Sequence, residues 1–579
     1  MNTFYSNERN VQILVSLLKA HNIRKVIASP GTTNLTFVAS LQCDPFFEIY
    51  SCVDERSAAY MACGMAAESG EPVVLSCTGA TASRNYLPGL TEAYYRRLPV
   101  LAVTSTQHTG RIGNLVAQVI DRSSPPPDTV VFSADIPTVH DDEDEWACAV
   151  AINRALMALR GRSPGPAHLN LATTYSKDFS VKELPPVQVI QRIGEDDAMP
   201  KLPQGRIGIF VGSHAKWSDR LRDAVDEFCE KYDAVIFHDH TSNYQGKYGC
   251  LFDLVSSQDD YLSPNKFVDL LIHIGEVSGA YMGLLPAQVW RVSPDGAARD
   301  MFRKLRYVFD MSEQRFFDRC NAMRERKTDC AHFKACRREC RELASKIPEL
   351  PFSNAWIASV LCDKLPENST VHLGILNSLR SWNFFEIPAS VSCYSNTGGF
   401  GIDGCSSALL GASIASPDKL FFGFIGDLAI FYDLNSIGNR SVGNNLRILV
   451  VNNGLGVEFK NYNHPAARFG DDADLYMAAG GHYGRQSRQL LKNYTETLGF
   501  RYLSAASKEE FLKALPLFVN PVIGDKPIFL EAFTDSRRES EALYALRHLK
   551  SSATGLARNA VKGVFGDSSV QTIRKILKR

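Results

Sequence analysis

Asp427 and Asn453 stand 26 positions apart in GDLAIFYDLNSIGNRSVGNNLRILVVNN, residues 426–453, each at the end of an apolar run. Read as strand, helix, strand, the stretch is one βαβ unit, and both side chains then emerge at the carboxyl edge of a parallel sheet, where open α/β sheets bind ligands. A carboxylate, an amide oxygen and the main-chain carbonyl of Leu455 form a hard-oxygen half-site of the kind Mg²⁺ takes, with its other positions left for phosphate and water. Taken singly, an Asp after a strand is a helix N-cap and an Asn pair is a turn. Their common frame, followed by Gly454-Leu455-Gly456, makes a candidate site for a metal-bound diphosphate.

The elements that position such a site recur in the N-terminal third. KVIASPGTTN, FEIYSCVDERSAAYMACGMAAESG and PVVLSCTGATASRNYLPGLTEAYYRRLPVLAVTS read as strands alternating with helices, the strands short and β-branched and the helices apolar at helical spacing. Glu55 falls where the second strand gives way to a helix rich in small residues, Ala58, Ala59, Ala62, Gly64 and Ala66. Such a helix suits close packing against another helix, as in a dimer interface, and there Glu55 is expected to be substantially buried.

SPG, DERSA, TGAT with Asn85 and then GDL…NN occur in the order of the thiamine-diphosphate-dependent decarboxylase and carboligase superfamily, and the chain resembles that superfamily over nearly its whole length. It is most similar to the menaquinone-pathway enzyme that joins 2-oxoglutarate to isochorismate (SEPHCHC synthase), and more distantly to acetolactate synthase. GGFGIDG at 398–404 looks like the former's GASGIDG, and QVID, Gln118 to Asp121, like its loop over the cofactor.

The resemblance implies thiamine diphosphate and Mg²⁺ as cofactors and gives these residues roles. Glu55 matches the glutamate that protonates or hydrogen-bonds the pyrimidine nitrogen N1′, a task helped by burial, which raises a carboxyl pKa. Ile402 is the candidate apolar elbow that bends the cofactor. Thr32, Thr78, Asn85, Asp403, Gly426, Asp427, Leu428, Asn453 and Leu455 are its expected contacts, Asp427, Asn453 and Leu455 as the metal ligands. The helix after Gly404, CSSALLGASIAS, is expected to turn its N-terminal amides toward the diphosphate. Gln118 and His464, in the NYNHP loop, are candidate catalytic residues, His464 as a general acid or base.

Departures from the menaquinone enzyme are as informative. Where that family has arginines for substrate carboxylates, this chain has Thr33, Gln107 and Thr397, and a hydroxyl does not replace a bidentate guanidinium. Isochorismate is therefore not the expected acceptor. Arg84, Arg380 and Ser378 are the candidate substrate contacts, although either arginine could equally be a surface ion pair.

A chain of 579 residues with 45% apolar residues is too long for one core. The expected fold class is α/β, three consecutive domains with parallel sheets: pyrimidine-binding at 1–185, Rossmann-like at 200–335 and diphosphate-binding at 350–545. The proline-bearing stretches KELPPVQVI and SKIPELPFSN mark the boundaries. RIGIFVGSH, AVIFHDH and LLIHIGE are the middle domain's strands, and its single glycine after the first lacks the dinucleotide fingerprint, so FAD is left open.

Lys and Arg total 63 against 63 Asp and Glu, a balance that argues against nucleic-acid binding. There is neither a membrane-length apolar run nor a secretory signal at the N-terminus, and 14 scattered Cys fit reduced thiols in the cytoplasm. Cys320, Cys330, Cys336 and Cys340 around His332 do not have zinc-module spacing. The tail at 546–579, basic and amphipathic, reads as a solvated helix or as a weak contact with an anionic membrane surface. The expected activity is decarboxylation of a 2-oxoacid with release of an aldehyde or transfer of the carbanion to an acceptor, in a homodimer or dimer of dimers with sites at the interface. The alternatives are a true menaquinone-pathway carboligase with substituted anion contacts and a non-catalytic cofactor-binding paralogue.

Overall fold

The structure, a computed structural model, describes residues 4–161, 163–280, 282–480, 487–553 and 555–556. Three sheets with intervening helices make the chain α/β, as expected. The first contains β1 (Lys25–Ala28), β2 (Glu48–Ser51), β3 (Val73–Thr78), β4 (Val100–Thr106), β5 (Phe132–Ile136) and β6 (Ala167–Ala172), all parallel, in the order β2-β1-β3-β4-β6-β5. The second contains β7 (Gln191–Gly194), β8 (Ile207–Val211), β9 (Ala234–His238), β10 (Gly249–Leu251), β11 (Phe267–Ile274), β12 (Leu285–Val292) and β13 (Leu305–Asp310), in the order β10-β9-β8-β11-β12-β13-β7. The third contains β14 (Thr370–Leu373), β15 (Ser392–Tyr394), β16 (Phe421–Gly426), β17 (Leu446–Asn452), β18 (Arg501–Ala505) and β19 (Ile528–Phe533), again parallel, in the order β15-β14-β16-β17-β19-β18. By internal contacts the chain divides into two units, residues 1–200 with 288–312, and 201–287 with 313–579.

The first and third sheets repeat one permutation, with the third strand beside the first and the second on the first's far side. Each sheet therefore has a switch point, between β1 and β3 in one and between β14 and β16 in the other, where consecutive connections leave in opposite directions and a crevice opens at the carboxyl edge. β4 and β17 are buried at every position, the near-continuous apolar pattern of a parallel strand covered on both faces.

In the first unit, helices Arg9–Ala20 and Asp142–Ala158 cover one face of the sheet and helices Glu55–Ser69 and Leu87–Tyr95 the other. The small residues of Glu55–Ser69 are used here: Ala58, Ala59, Ala62 and Ala66 are buried, and Cys63 donates to Gly89 O at 3.2 Å. The spacing did mark a close helix contact, but its partner is the next helix of the same fold, and Tyr60, Met61 and Gly64 form the exposed side.

All 14 cysteines are free. Among the described residues no group of three or more His, Cys, Asp or Glu could hold a metal. No described helix is long and apolar enough to cross a membrane. Most of the basic tail, residues 557–579, lies outside the described residues.

Candidate active site

In the second unit, β16 delivers Gly426 and Asp427 to the carboxyl edge beside the switch point, and Asp427 opens the helix Asp427–Tyr432. Asp427 is 5% exposed. Its Oδ1 accepts from Leu428 N at 2.8 Å and its Oδ2 from Gly454 N at 2.7 Å. Those amides lower its pKa, but burial is the larger effect and pushes it up to about 7. No lysine or arginine forms an ion pair with it among the described residues.

β17 supplies the other half. Strand alternation splits the asparagine pair: Asn452 turns inward and donates to Glu531 Oε1 at 2.7 Å, while Asn453 is half-buried at the edge, its Oδ1 accepting from Leu455 N at 3.3 Å. Gly454 makes this bend with φ +75°, a conformation that favours glycine. A Cβ on Gly426 would meet nothing within 4 Å, so open space adjoins the buried carboxylate. A carboxyl group short of positive charge, an amide oxygen and a backbone bend beside open space fit a hard divalent cation carrying phosphate oxygens.

Asp403 is exposed, and Ile402 is half-buried against the core of the third sheet, in part the anchor its apolar side chain suggests. The helix that follows, Cys405–Ala415, is not left open for an anion as expected. Asp433 lies across its start and accepts from Ser407 N at 2.6 Å, Ser406 Oγ at 2.8 Å and Ser407 Oγ at 2.5 Å. A carboxylate of the same fold thus takes one first-turn amide, that of Ser407, and it fastens the Ile402 turn to the segment that starts at Asp427.

Other expected contacts of this unit are already engaged. Arg380 is held by Glu458 in a bidentate pair, Nη1 to Oε2 at 2.7 Å and Nη2 to Oε1 at 2.8 Å, so the ion-pair reading of this arginine is the one realised. Ser378 is buried and accepts from Asn354 Nδ2 at 3.1 Å. His464 caps the 3₁₀ turn Pro465–Ala473, its Nδ1 accepting from Ala466 N at 3.1 Å, and among the described residues Nε2 has no hydrogen-bond partner. Leu428 is half-buried and Leu455 buried.

In the first unit Glu55 heads its helix, after Asp54 as N-cap, and its Oε2 accepts from Asn85 Nδ2 at 3.2 Å. It is half-buried within this chain. Thr32 is exposed; the inward residue is Thr33, whose Oγ1 bonds Thr78 Oγ1 and donates to Ser105 O at 3.0 Å. Gln118 is exposed, with φ +65°, on the loop after β4. Arg84 Nη2 donates to Asp121 O at 2.9 Å and so secures that loop's end. Sequence reasoning missed Asp433, Glu458 and Glu531. Asp433 carried a usable signal, an acid six residues after Asp427 at the end of the same short helix; the other two sit in ordinary polar contexts.

Residues 9–124 match the thiamine pyrophosphate enzyme, N-terminal TPP binding domain, family. Over 94% of its length the chain is 28% identical to a 2-succinyl-5-enolpyruvyl-6-hydroxy-3-cyclohexene-1-carboxylate synthase from Bacteroides fragilis, of which it covers 99%. The counterpart from Bacteroides thetaiotaomicron is 27% identical with the same coverage of each chain. A solved thiamine diphosphate-dependent 4-hydroxybenzoylformate decarboxylase from Rhodococcus jostii is 16% identical, with 91% of this chain and 99% of that one covered at a TM-score of 0.38, too loose a likeness to argue from. Family model, full-length relatives and motifs agree on the class: this is a thiamine-diphosphate-dependent enzyme, as the sequence resemblance implied. Within the class, its resemblance is to the SEPHCHC synthases.

Proposed function

We propose that this enzyme requires Mg²⁺ with thiamine diphosphate, decarboxylates a 2-oxoacid and passes the resulting carbanion to an acceptor. The observation that carries the reading is Asp427, a buried carboxylate held by two amides beside the bare Cα of Gly426, with no cationic side chain paired to it among the described residues. Asp427, Asn453 and the Leu455 carbonyl would hold the metal. Bound thiamine diphosphate supplies the electron sink for loss of CO₂. Glu55, oriented by Asn85, holds a proton at the pyrimidine nitrogen. Thr33 and Thr78 set the wall of the first sheet's crevice, and Nε2 of His464 is free to carry a proton to or from the product oxygen.

A homodimer in which Glu55 of one copy serves Asp427 of the other fits the exposed Tyr60 and Met61 on Glu55's own helix. Thr33, Gln107 and Thr397 offer no guanidinium, and that of Arg380 is held by Glu458, which supports an acceptor other than isochorismate. Fourteen free thiols suit a reducing compartment such as the cytoplasm.

The test is calorimetric titration of thiamine diphosphate with and without Mg²⁺, beside a CO₂-release screen of pyruvate, 2-oxoglutarate and phosphonopyruvate. Magnesium-dependent binding with CO₂ from one acid is expected. Binding with no release from any 2-oxoacid, with or without added acceptors, would leave the non-catalytic reading, and no binding would refute the assignment.

A further inference from the structure

The first unit contains a buried cation that the site above does not use. Arg122 is 5% exposed, and its guanidinium lies beneath the turn that follows β3: a Cβ on Gly79 would sit 3.4 Å from Arg122 Cζ and Nη1 and 3.2 Å from Ser105 O. Nη2 donates to Asn170 Oδ1 at 2.6 Å. Nε and Nη1 are buried with no hydrogen-bond partner among the described residues, which leaves their N–H hydrogens without an acceptor there. Among the described residues no carboxylate is paired with Arg122. Its link to an acid runs through Asn170, whose Nδ2 donates to the exposed Asp135 at 2.8 Å.

Buried charges are normally paired or fully hydrogen-bonded, because removing an ion from water is costly. Burial draws Arg122 down to about 10, which still leaves it cationic at neutral pH. The surroundings are rich in unused polar atoms, since Ser29 Oγ after β1 and Ser105 Oγ near the end of β4 are likewise buried without partners. All of this lies along the carboxyl edge of the first sheet, whose switch point falls between β1 and β3. Gly79 is the first residue beyond β3, and its missing side chain lets the backbone pass close over the guanidinium.

We infer that Arg122 is a substrate-binding residue, and that the counter-ion it lacks is a carboxylate of the ligand the enzyme works on. A planar guanidinium with unfilled N–H groups is matched to that group. Both open nitrogens are closed to solvent, so the anion enters as the loop of residues 107–121 shifts. That loop is tied at its end by Arg84 to Asp121 O, and its tip, Leu115, is fully exposed. A purely structural arginine pinning the loop would show no response to added anions.

The inference rests on the proposed function only for the identity of the molecule carrying the carboxylate; the anion site is measurable without turnover. Thermal unfolding of the full chain is followed against succinate and, at equal ionic strength, sodium chloride, for wild type, Arg122→Lys and Arg122→Met. Kinetic constants are then taken with 2-oxoglutarate and with 2-oxopentanoate, which has the same chain length and lacks the distal carboxylate. Succinate should raise the wild-type Tm saturably beyond the chloride series, with half-saturation about tenfold higher in Arg122→Lys and no response in Arg122→Met. In turnover the Met variant should lose KM for the dicarboxylic acid and little kcat, with thiamine diphosphate binding unchanged. A wild type that follows ionic strength alone, or a Met variant that responds as wild type does, overturns the inference. If Arg122→Met does not fold, the comparison of wild type with Arg122→Lys decides. Succinate binding that depends on Arg122, in a protein that releases no CO₂ from any 2-oxoacid, would uphold the anion site and defeat the proposed function.

Discussion

At the scale of residues the proposed site divides its work between Asp427, which would hold the metal, and Glu55, which would move a proton. Asp427→Asn keeps the size and one acceptor but removes the ionisable oxygen, so Mg²⁺-dependent binding of thiamine diphosphate should weaken by about 100-fold or more, as when one partner of a buried charge pair is lost. Titration calorimetry measures it, and near-normal affinity would remove Asp427 from the metal site. Glu55→Gln keeps the bond to Asn85 and should bind cofactor normally while turnover falls by about 10²–10⁴-fold, the usual range for a lost acid or base; full activity would end its role. Both residues could be picked out in the sequence because each opens a helix that follows a strand in a recognisable frame. Thr33 was not chosen over Thr32, because a turn after Gly31 has no periodicity from which to tell the inward side chain from the outward one. The partners of Arg380 and of the helix start at Cys405 come from 78 and 26 to 27 positions away, and nothing local announces them.

At the scale of elements, alternating β-branched and helical patterns gave strands in each of the three sheets, β16 and β17 among them, but not what each helix packs on. The stripe of alanines in Glu55–Ser69 is the case in point: small residues specify a near neighbour without saying whose. Its neighbour is Gly89, where a Cβ would fall 2.4 Å from Ala59 Cβ and 2.9 Å from its backbone carbon. Neither is the end of a flexible side chain, so Gly89→Ala must part the two helices. A loss of about 1–3 kcal/mol is expected from such overpacking, read as a lower urea midpoint. Because Glu55 opens the displaced helix, turnover should fall as well, with Asp427-dependent metal binding unaffected. A fully stable, fully active Gly89→Ala would show that the contact yields and that Glu55 is not positioned by it.

At the scale of the whole molecule, the first and third sheets share one strand order although their sequences show no repeat, since topology constrains only where apolar runs and connections fall. β7 was not legible for a related reason: Gln191–Gly194 is a short edge strand with no fully buried position, so it carries neither an apolar run nor a clean alternation. The distribution of buried ionisable groups, which no sequence pattern displays, sets how stability depends on pH. Burial lowers His21, His168, His238, His240, His332 and His372, to about 3 for His168 and about 4 for His238 and His372. Below an unfolded value of about 6.5 the unfolded chain gains protons that these folded rings refuse, so their contribution is lost as pH falls toward 4. Burial raises Asp226, Asp253, Asp427, Glu531 and Glu539, with Asp427 and Glu539 at about 7. Above an unfolded value of about 4 the unfolded chain releases protons that the folded carboxyls keep, so stability falls as pH rises from there through 7. The two trends oppose each other between pH 4 and 6.5, and beyond 6.5 only the carboxyl trend remains. Guanidinium midpoints measured in EDTA should therefore lie on a plateau near pH 5.5 and decline by pH 8.5. Adding Mg²⁺ with thiamine diphosphate, which favours ionised Asp427, should stabilise the protein more at pH 8.5 than at 5.5 and so narrow the difference. A midpoint in EDTA that rises from pH 5.5 to 8.5, or a cofactor effect that is larger at the lower pH, would mean that Asp427 and Glu539 are ionised in the folded chain without a cation to hold them.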